Sequence, residues 1–207
     1  MNILAIDTAN NFLSLALHKD QSTHIICEDI GNKQSEFILP KINQLLTEND
    51  TKLQDLTSIS YNAGPGGFTG LRIGLSVAMS LAYSLEVQLH HVNMFAMYHN
   101  ALNTETNSII ALDAKLGQIY LAGFNNEGEC LIEPQLINPE QLSSVLSKQN
   151  LINGNDTIIT GSGWMAYTET FNQDISLQNL QYVESSYPSA ATMINLVLSG
   201  KSQQCAA

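Results

Sequence analysis

The sequence predicts an α/β fold built from two related halves. Apolar stretches of strand length alternate with stretches whose apolar residues recur every three or four positions, as in strands followed by amphipathic helices. Residues 3–7 read ILAID and residues 109–113 read IIALD, and a second strand-like stretch follows each of them. These similar openings indicate an internal duplication. We therefore predict one half over residues 1–104 and a second, smaller half over residues 105–207.

The first half combines strands with three helices. Its predicted strands are residues 3–7, 13–17, 23–28, 56–62 and 87–92. Helical spacing of apolar residues predicts helices over residues 35–48, 69–85 and 94–102. We expect Pro40 to be tolerated near the first turn of its helix, and Thr69 to cap the second helix.

The second half continues the alternation. Its predicted strands are residues 109–113, 118–124, 130–133 and 157–160, and the NNEG sequence at 125–128 predicts a hairpin turn. A turn is expected at Gly161-Ser162-Gly163, and helices are expected over residues 139–148 and 189–198.

Composition excludes several classes of function. The net charge of −11, from 19 acidic residues against eight lysines and arginines, argues against broad contact with a nucleic-acid backbone by this chain alone. Three separated cysteines, Cys27, Cys130 and Cys205, form no CxxC pair, which is typical of reduced thiols. The first residues lack a basic leader, and no apolar run approaches the roughly 20 residues that span a bilayer. We expect a cytoplasmic protein.

The segment GPGGFTGLRIG, residues 64–74, contains five of the 13 glycines and the sole arginine, Arg72. A glycine turn between a strand and a helix N-terminus suits an anion or the backbone of a partner. It matches neither the P-loop nor the dinucleotide-binding pattern, and tight packing of the helix on the strand explains the glycines equally well. The candidates for a vestigial phosphate-binding site are Asp7, Gly66, Gly67 and Thr69.

Two roles remain open for Arg72, and two for Asp7. The Arg72 guanidinium could bind a carboxylate or phosphate of a partner with two hydrogen bonds, or it could pair within the chain with Asp7 or Asp113. Asp7 could help to hold a metal-bound phosphate or could cap its own turn. The five histidines form no HExxH sequence, and no GxSxG sequence is present. We therefore predict no catalytic residue, metal site or cofactor.

Four segments together resemble the TsaB (YeaZ) family. They are ILAIDTA at 3–9, SEFILP at 35–40, GPGGFTGLRIG at 64–74 and ALDAKLGQIY at 111–120, in the order seen in that family. The resemblance spans nearly the whole chain. It implies the duplicated fold of actin, sugar kinases and heat-shock chaperones (the ASKHA fold), with mixed central sheets flanked by helices. It also implies a role in making threonylcarbamoyladenosine beside the tRNA anticodon.

The same resemblance implies partners. TsaD carries the metal and transfers the threonylcarbamoyl group, TsaB binds TsaD, and TsaE is an associated ATPase. The helices at 35–48 and 69–85 would pair with equivalent helices of TsaD, or with a second copy of this chain when TsaD is absent. The candidate interface residues, which could equally belong to the chain's own core, are Ile38, Ile42, Arg72, Leu75, Met79 and Tyr83.

The residues favour a supporting rather than a catalytic member. Residues 33–42 hold no histidine pair that could bind a metal, and residues 113–117 read DAKLG, unlike a DxGxT phosphate loop. Gln34 stands where many relatives have histidine, and the C-terminal residues lack the Tyr-Leu-Arg-like segment of the family, so roles of those positions are not transferred. The alternatives are an ATP-dependent small-molecule kinase of the same fold, which would use Asp7 and the glycine turns, and a peptidase, for which no nucleophile or metal ligands are evident.

Overall fold

The computed structural model describes residues 1–103, 105–151, 157–177, 180–184 and 186–205. They form two compact units. Unit 1 comprises residues 1–97 and 188–207, and unit 2 comprises residues 98–187. The predicted boundary differs from this division because residues 188–207 return to the first unit. Thr104, at the predicted boundary, lies outside the described residues.

Strands and helices alternate along the chain. The strands are β1 Ile3–Asp7, β2 Phe12–Lys19, β3 Ser22–Asp29, β4 Ser58–Asn62, β5 Gln88–Val92, β6 Asn107–Lys115, β7 Gln118–Phe124, β8 Cys130–Ile137, β9 Thr157–Thr160, β10 Gln181–Tyr182 and β11 Gln203–Cys205. The helices are α1 Gln34–Glu48, α2 Phe68–Leu85, α3 Met94–Leu102, α4 Leu142–Lys148, α5 Ser162–Ala166, α6 Thr168–Gln173 and α7 Ala190–Leu198. Short 3-10 turns occupy Leu53–Asp55, Pro139–Gln141 and Ile175–Leu177.

Unit 1 is a mixed sheet with helices on both faces. The strand order is β11-β5-β4-β1-β2-β3, in which β1, β4 and β5 run parallel and β2 and β3 complete antiparallel hairpins. Because side chains alternate along a strand, Leu4 and Ile6 of β1 enter the core beneath α1 and α2. On the opposite face α7 packs on β1 and β2, and the Ala190 N–H donates a hydrogen bond to Ser14 Oγ at 2.9 Å.

Unit 2 repeats this topology. Its strand order, β10-β9-β6-β7-β8, again joins two antiparallel hairpins to a parallel neighbour of the first strand. Ile109 and Ala111 of β6 lie in a core with Leu142 and Leu146 of α4 and Phe171 of α6. The repeated strand order supports the duplication predicted from the two similar openings.

Most predicted elements are confirmed to within a few residues, and the exceptions have physical causes. Helix α2 begins at Phe68, and Gly67, rather than Thr69, is its N-cap residue. Pro40 lies inside α1 and not in its first turn. The expected Gly161–Gly163 turn instead opens α5, and β8 extends to Ile137. The short elements α6, β10 and β11 were not predicted, because so few residues carry no readable periodicity.

Candidate functional site

Helix α2 is mostly apolar, yet one stripe of its apolar side chains is exposed. The buried residues of the helix are Gly74, Ala78 and Ala82, all small. Phe68, Met79 and Tyr83 are each more than half exposed. Positions 68, 72, 76, 79 and 83 lie three or four residues apart, so they share one face of the helix. Small residues thus bring α2 close to the sheet, while the large side chains of Phe68, Met79 and Tyr83 remain in solvent.

A groove lies between α1 and α2. Its volume is about 430 Å³, and its lining residues are Ser35, Ile38, Leu39, Phe68, Thr69, Arg72, Ile73, Ser76 and Val77. Leu39 of α1 is more than half exposed beside it. We call the exposed residues Leu39, Phe68, Arg72, Met79 and Tyr83 the α1–α2 surface. Exposed large apolar groups in such a cluster are typical of protein–protein contact sites.

Arg72 makes neither of the intramolecular ion pairs considered for it. Its guanidinium carbon lies 3.7 Å from the centroid of the Phe68 ring, a cation–π contact within α2. Asp7 instead accepts hydrogen bonds from the Ala9 N–H and from Asn62 Nδ2, both at 2.9 Å. Asp113 pairs with Lys115. Stacking on Phe68 holds Arg72 at the edge of the groove with its hydrogen-bond donors available to a partner.

The proposed interface residues divide into two groups. Arg72, Met79 and Tyr83 are exposed, and Leu75 is partly buried. Ile38 and Ile42, however, are only 2% and 4% exposed and belong to the core of unit 1. Their assignment as interface contacts was wrong, because the most regular apolar stripe of an amphipathic helix faces its own sheet. Leu39 and Phe68, which are also exposed, were not predicted. Each could have been noticed as an apolar residue that lies off the stripe facing the sheet.

The glycines of residues 64–74 allow α2 to touch the β1–β2 turn. A Cβ at Gly70 would collide with the carbonyl oxygen of Thr8, and one at Gly74 would collide with Thr8 Oγ1. Thr8 Oγ1 also donates a hydrogen bond to the Gly70 carbonyl oxygen at 2.7 Å. Close packing of helix and turn therefore accounts for these two glycines.

The candidate phosphate-binding residues lie around the same turn. Gly67 and Thr69 line a second cavity of about 430 Å³ with residues of the β1–β2 turn. The Gly67 N–H donates to the Ala9 carbonyl oxygen at 2.7 Å, and a Cβ at Gly66 would lie 2.7 Å from Ala9 Cβ. Asp7 is buried beneath the turn, where its Oδ1 caps the Ala9 N–H. Phosphate binding here remains a prediction, which calorimetric titration with MgATP tests.

Asp113 holds the equivalent place in unit 2 but a different environment. Burial alone would raise the pKa of its carboxyl, but the hydrogen bonds and charge of Lys115, with a weaker bond from Tyr167, bring the pKa below its ordinary value. Lys115 Nζ lies 2.6 Å from Asp113 Oδ2. The following residues, Lys115, Leu116 and Gly117, all have positive φ. The ion pair between Asp113 and Lys115 thus lies at the end of β6, where the turn to β7 begins.

By length and composition alone, α2 is long and apolar enough to cross a membrane. This differs from the expectation that no apolar run in the chain is long enough to span a bilayer. One such helix is weak evidence for a membrane span, because helices packed on a sheet in soluble proteins can have the same length and apolar composition. Within the structure, α2 packs on β1, β4 and β5 through its small residues. Its apolar character is therefore accounted for by the α1–α2 surface and this packing.

Comparison with known proteins identifies the family. A family model described as TsaD, tRNA N6-adenosine threonylcarbamoyltransferase, matches residues 9–203. The tRNA threonylcarbamoyladenosine biosynthesis protein TsaB of Escherichia coli K12 is 31% identical over 183 residues, which cover 82% of this chain and 74% of that protein. The chain belongs to the TsaB (YeaZ) family, within the wider family that the model describes. The resemblance noted in the sequence is thereby confirmed.

Solved structures confirm the fold expected of the TsaB family. A Pseudomonas aeruginosa protein described as similar to peptidase YEAZ superposes with a TM-score of 0.80 at 23% identity, covering 98% of this chain and 94% of that chain. A Bacteroides thetaiotaomicron protein of actin-like ATPase fold superposes with a TM-score of 0.51 at 10% identity, covering 95% of both chains. The duplicated ASKHA-like fold is therefore established.

Proposed function

We propose that this chain is a non-catalytic subunit in the biosynthesis of threonylcarbamoyladenosine in tRNA, and that it acts in the cytoplasm by binding TsaD. Family membership supplies the pathway, since the E. coli relative is named for it. The observation that carries the proposed mode of action is the exposed apolar stripe of α2. A helix that leaves Phe68, Met79 and Tyr83 in solvent gains free energy when a partner covers them.

The partner proposed for the α1–α2 surface is the corresponding helix pair of TsaD. The chain matches the TsaD family model along residues 9–203, so TsaD has helices at equivalent places in a shared fold. Two amphipathic helix pairs can pack as a four-helix bundle across an interface. Each aliphatic or aromatic side chain fully buried there contributes roughly 1.5–3 kcal/mol, before the costs of association are subtracted.

Two features of the aspartates support a subunit without chemistry of its own. Asp7 Oδ1 accepts hydrogen bonds from the Ala9 N–H and from Asn62 Nδ2, so this oxygen holds the turn. Asp113 spends its carboxylate on Lys115. In this proposal the transfer reaction belongs to TsaD, and TsaE joins through the complex. The net charge of −11 favours indirect rather than direct contact with tRNA.

A charge placed on the α1–α2 surface tests the proposal. Met79→Glu should weaken binding of purified TsaD by at least about 100-fold, because the contact would bury an unpaired carboxylate. Met165→Glu is the matched control, since Met165 in unit 2 is 63% exposed against 52% for Met79. The control should bind as the wild type does. Leu75 is a poorer test site because it is partly buried, so a charge there would also disturb the fold.

Binding and activity are measured together. Calorimetry gives the affinity for TsaD, circular dichroism confirms that both variants are folded, and modified tRNA is quantified after mixing the chain with TsaD and TsaE. Modification should fall with Met79→Glu and not with Met165→Glu. Equal affinity of Met79→Glu and wild type would reject this surface. Full modification by TsaD and TsaE without the chain would reject the proposed function.

A further inference from the structure

Strand β3 forms one edge of the unit 1 sheet and lacks most of the features that usually protect an edge, since its only charged residues, Glu28 and Asp29, lie together at its end. It pairs with β2 over all eight residues in an unbroken register, without a bulge. Its sequence, STHIICED, contains neither proline nor lysine, and every residue except Ile26 is exposed. Natural sheets interrupt or charge such edges to prevent pairing with other chains. A long, regular edge whose charges are confined to its last two residues points to a strand that pairs.

The hydrogen-bond pattern tells which groups of β3 face outward. The Ile30 N–H donates to the Asn11 carbonyl oxygen at 3.0 Å, immediately beyond the Phe12–Asp29 pair. In an antiparallel ladder this makes Phe12–Asp29 a non-hydrogen-bonded pair, and such pairs alternate along the strands. The residues that direct their N–H and C=O groups toward the free edge are therefore Thr23, Ile25, Cys27 and Asp29.

We propose that β3 is a self-association site, where a second copy of this chain adds its own β3 antiparallel to form one continuous sheet. Outward-facing residues must pair with outward-facing residues, which restricts the two-fold registers available. In the register centred on Ile26, Thr23 faces Asp29, Ile25 faces Cys27 and Ile26 faces Ile26. His24 then faces Glu28, whose carboxylate already binds Lys41 Nζ of α1 at 2.6 Å and can accept a further hydrogen bond from the imidazole.

Neighbouring registers are mismatched, which favours this one. A register centred on Cys27 sets Asp29 against Ile25 and Glu28 against Ile26. A register centred on Ile25 sets His24 against Ile26. Only the register centred on Ile26 places polar side chains opposite polar ones and apolar opposite apolar along the strand, and cross-strand pairs of this kind stabilise a sheet. The β3 segment is thus complementary to itself, which identifies a second copy as the occupant.

Disulfide trapping tests both the pairing and its register. The background carries Cys27→Ser, Cys130→Ser, Cys205→Ser and Met79→Glu, so that no native thiol reacts and the α1–α2 surface is disabled. Into it His24→Cys and Glu28→Cys are introduced separately. Positions 24 and 28 form a non-hydrogen-bonded pair across the two copies, with Cα atoms close enough for a disulfide. Under mild oxidation the mixture should give at least about tenfold more covalent dimer than either protein alone.

A proline variant separates strand pairing from random collision. Ile25→Pro removes an N–H that faces the free edge and no bond to β2, so the unfolding midpoint should stay close to that of the background. Covalent dimer in the mixture should then fall at least about tenfold, whereas Ile25→Val should retain it. Covalent dimer that survives Ile25→Pro, that forms equally with either cysteine variant alone, or that fails to form would overturn the proposal. TsaD is absent throughout, so these outcomes are independent of the proposed function.

Discussion

Units 1 and 2 share a strand order but differ in the helical segment that follows the strand parallel to the first. In unit 1 that segment is α2, an uninterrupted 18-residue helix with large apolar side chains in solvent. In unit 2 it is broken between α5 and α6, and Trp164 and Phe171 stack on each other with ring centroids 4.7 Å apart. One topology therefore yields a helix with exposed apolar side chains in one unit and additional core in the other.

The first aspartates of the two units differ in a similar way. Asp7 and Asp113 each lie near the end of the first strand of their sheets. Asp7 is buried and hydrogen-bonded within its turn and to β4, whereas Asp113 forms a short ion pair with an exposed lysine. Equivalent backbone positions have thus acquired different local roles, and the comparison suggests three measurements.

The largest effect is expected from filling the close contacts between helix and turn. Gly70→Ala in unit 1 should lower the free energy of unfolding by about 3 kcal/mol or more, because its Cβ meets the Thr8 backbone. In unit 2, Gly163→Ala should cost about 1–2 kcal/mol, because its Cβ would lie 2.9 Å from the Ala111 carbonyl group. Urea unfolding measures both, with Ser76→Ala as the exposed control. Equal losses would mean that the two contacts are equally tight.

A smaller effect on the free energy of unfolding is expected from pH, and it should differ between groups in the two units. Burial lowers the pKa of His90, whose Nδ1 lies 3.0 Å from Ser202 Oγ in unit 1. The unfolded chain therefore binds a proton more readily, and the free energy of unfolding should fall as pH drops below roughly 6.5. The lowered pKa of Asp113 leaves its stabilisation intact until pH falls below roughly 4.

Urea unfolding between pH 7.5 and pH 5 checks this difference. His90→Gln should flatten the pH dependence, whereas Asp113→Asn should leave its slope unchanged in this range. A slope unaffected by His90→Gln would show that the folded chain accepts the proton without cost.

The smallest effect is expected at Arg72. Lysine keeps the positive charge but loses the planar fork, so Arg72→Lys should weaken TsaD binding about five- to tenfold if a partner carboxylate or phosphate engages both ends of the guanidinium. Stability of the free chain should change by less than about 0.5 kcal/mol, because the side chain is exposed. Calorimetry measures the affinity for TsaD, and urea unfolding measures the stability of the free chain. Unchanged affinity would leave the stacking on Phe68 as its role.

Much of the fold could be predicted from local pattern. Helix α3 and strands β7 and β9 have the predicted bounds, and the ILAID and IIALD strands mark equivalent places in the two sheets. The return of α7 to unit 1 could not be predicted, because its contacts with β1 and β2 join residues far apart in the sequence. Of the candidate interface residues, Met79 and Tyr83 are exposed, while Ile38 and Ile42 are buried in the core of unit 1.

The sequence alone determined the family, the two strand-led halves and the glycine segment before α2, because each depends on residue types and short spacings. Only the tertiary structure decided which apolar residues remain in solvent, that α7 returns to unit 1, and which strand forms the edge of the sheet. The apolar residues of a helix have the same spacing in the sequence whether they face the chain's own sheet or a partner. Its burial depends on what the rest of the chain places against it.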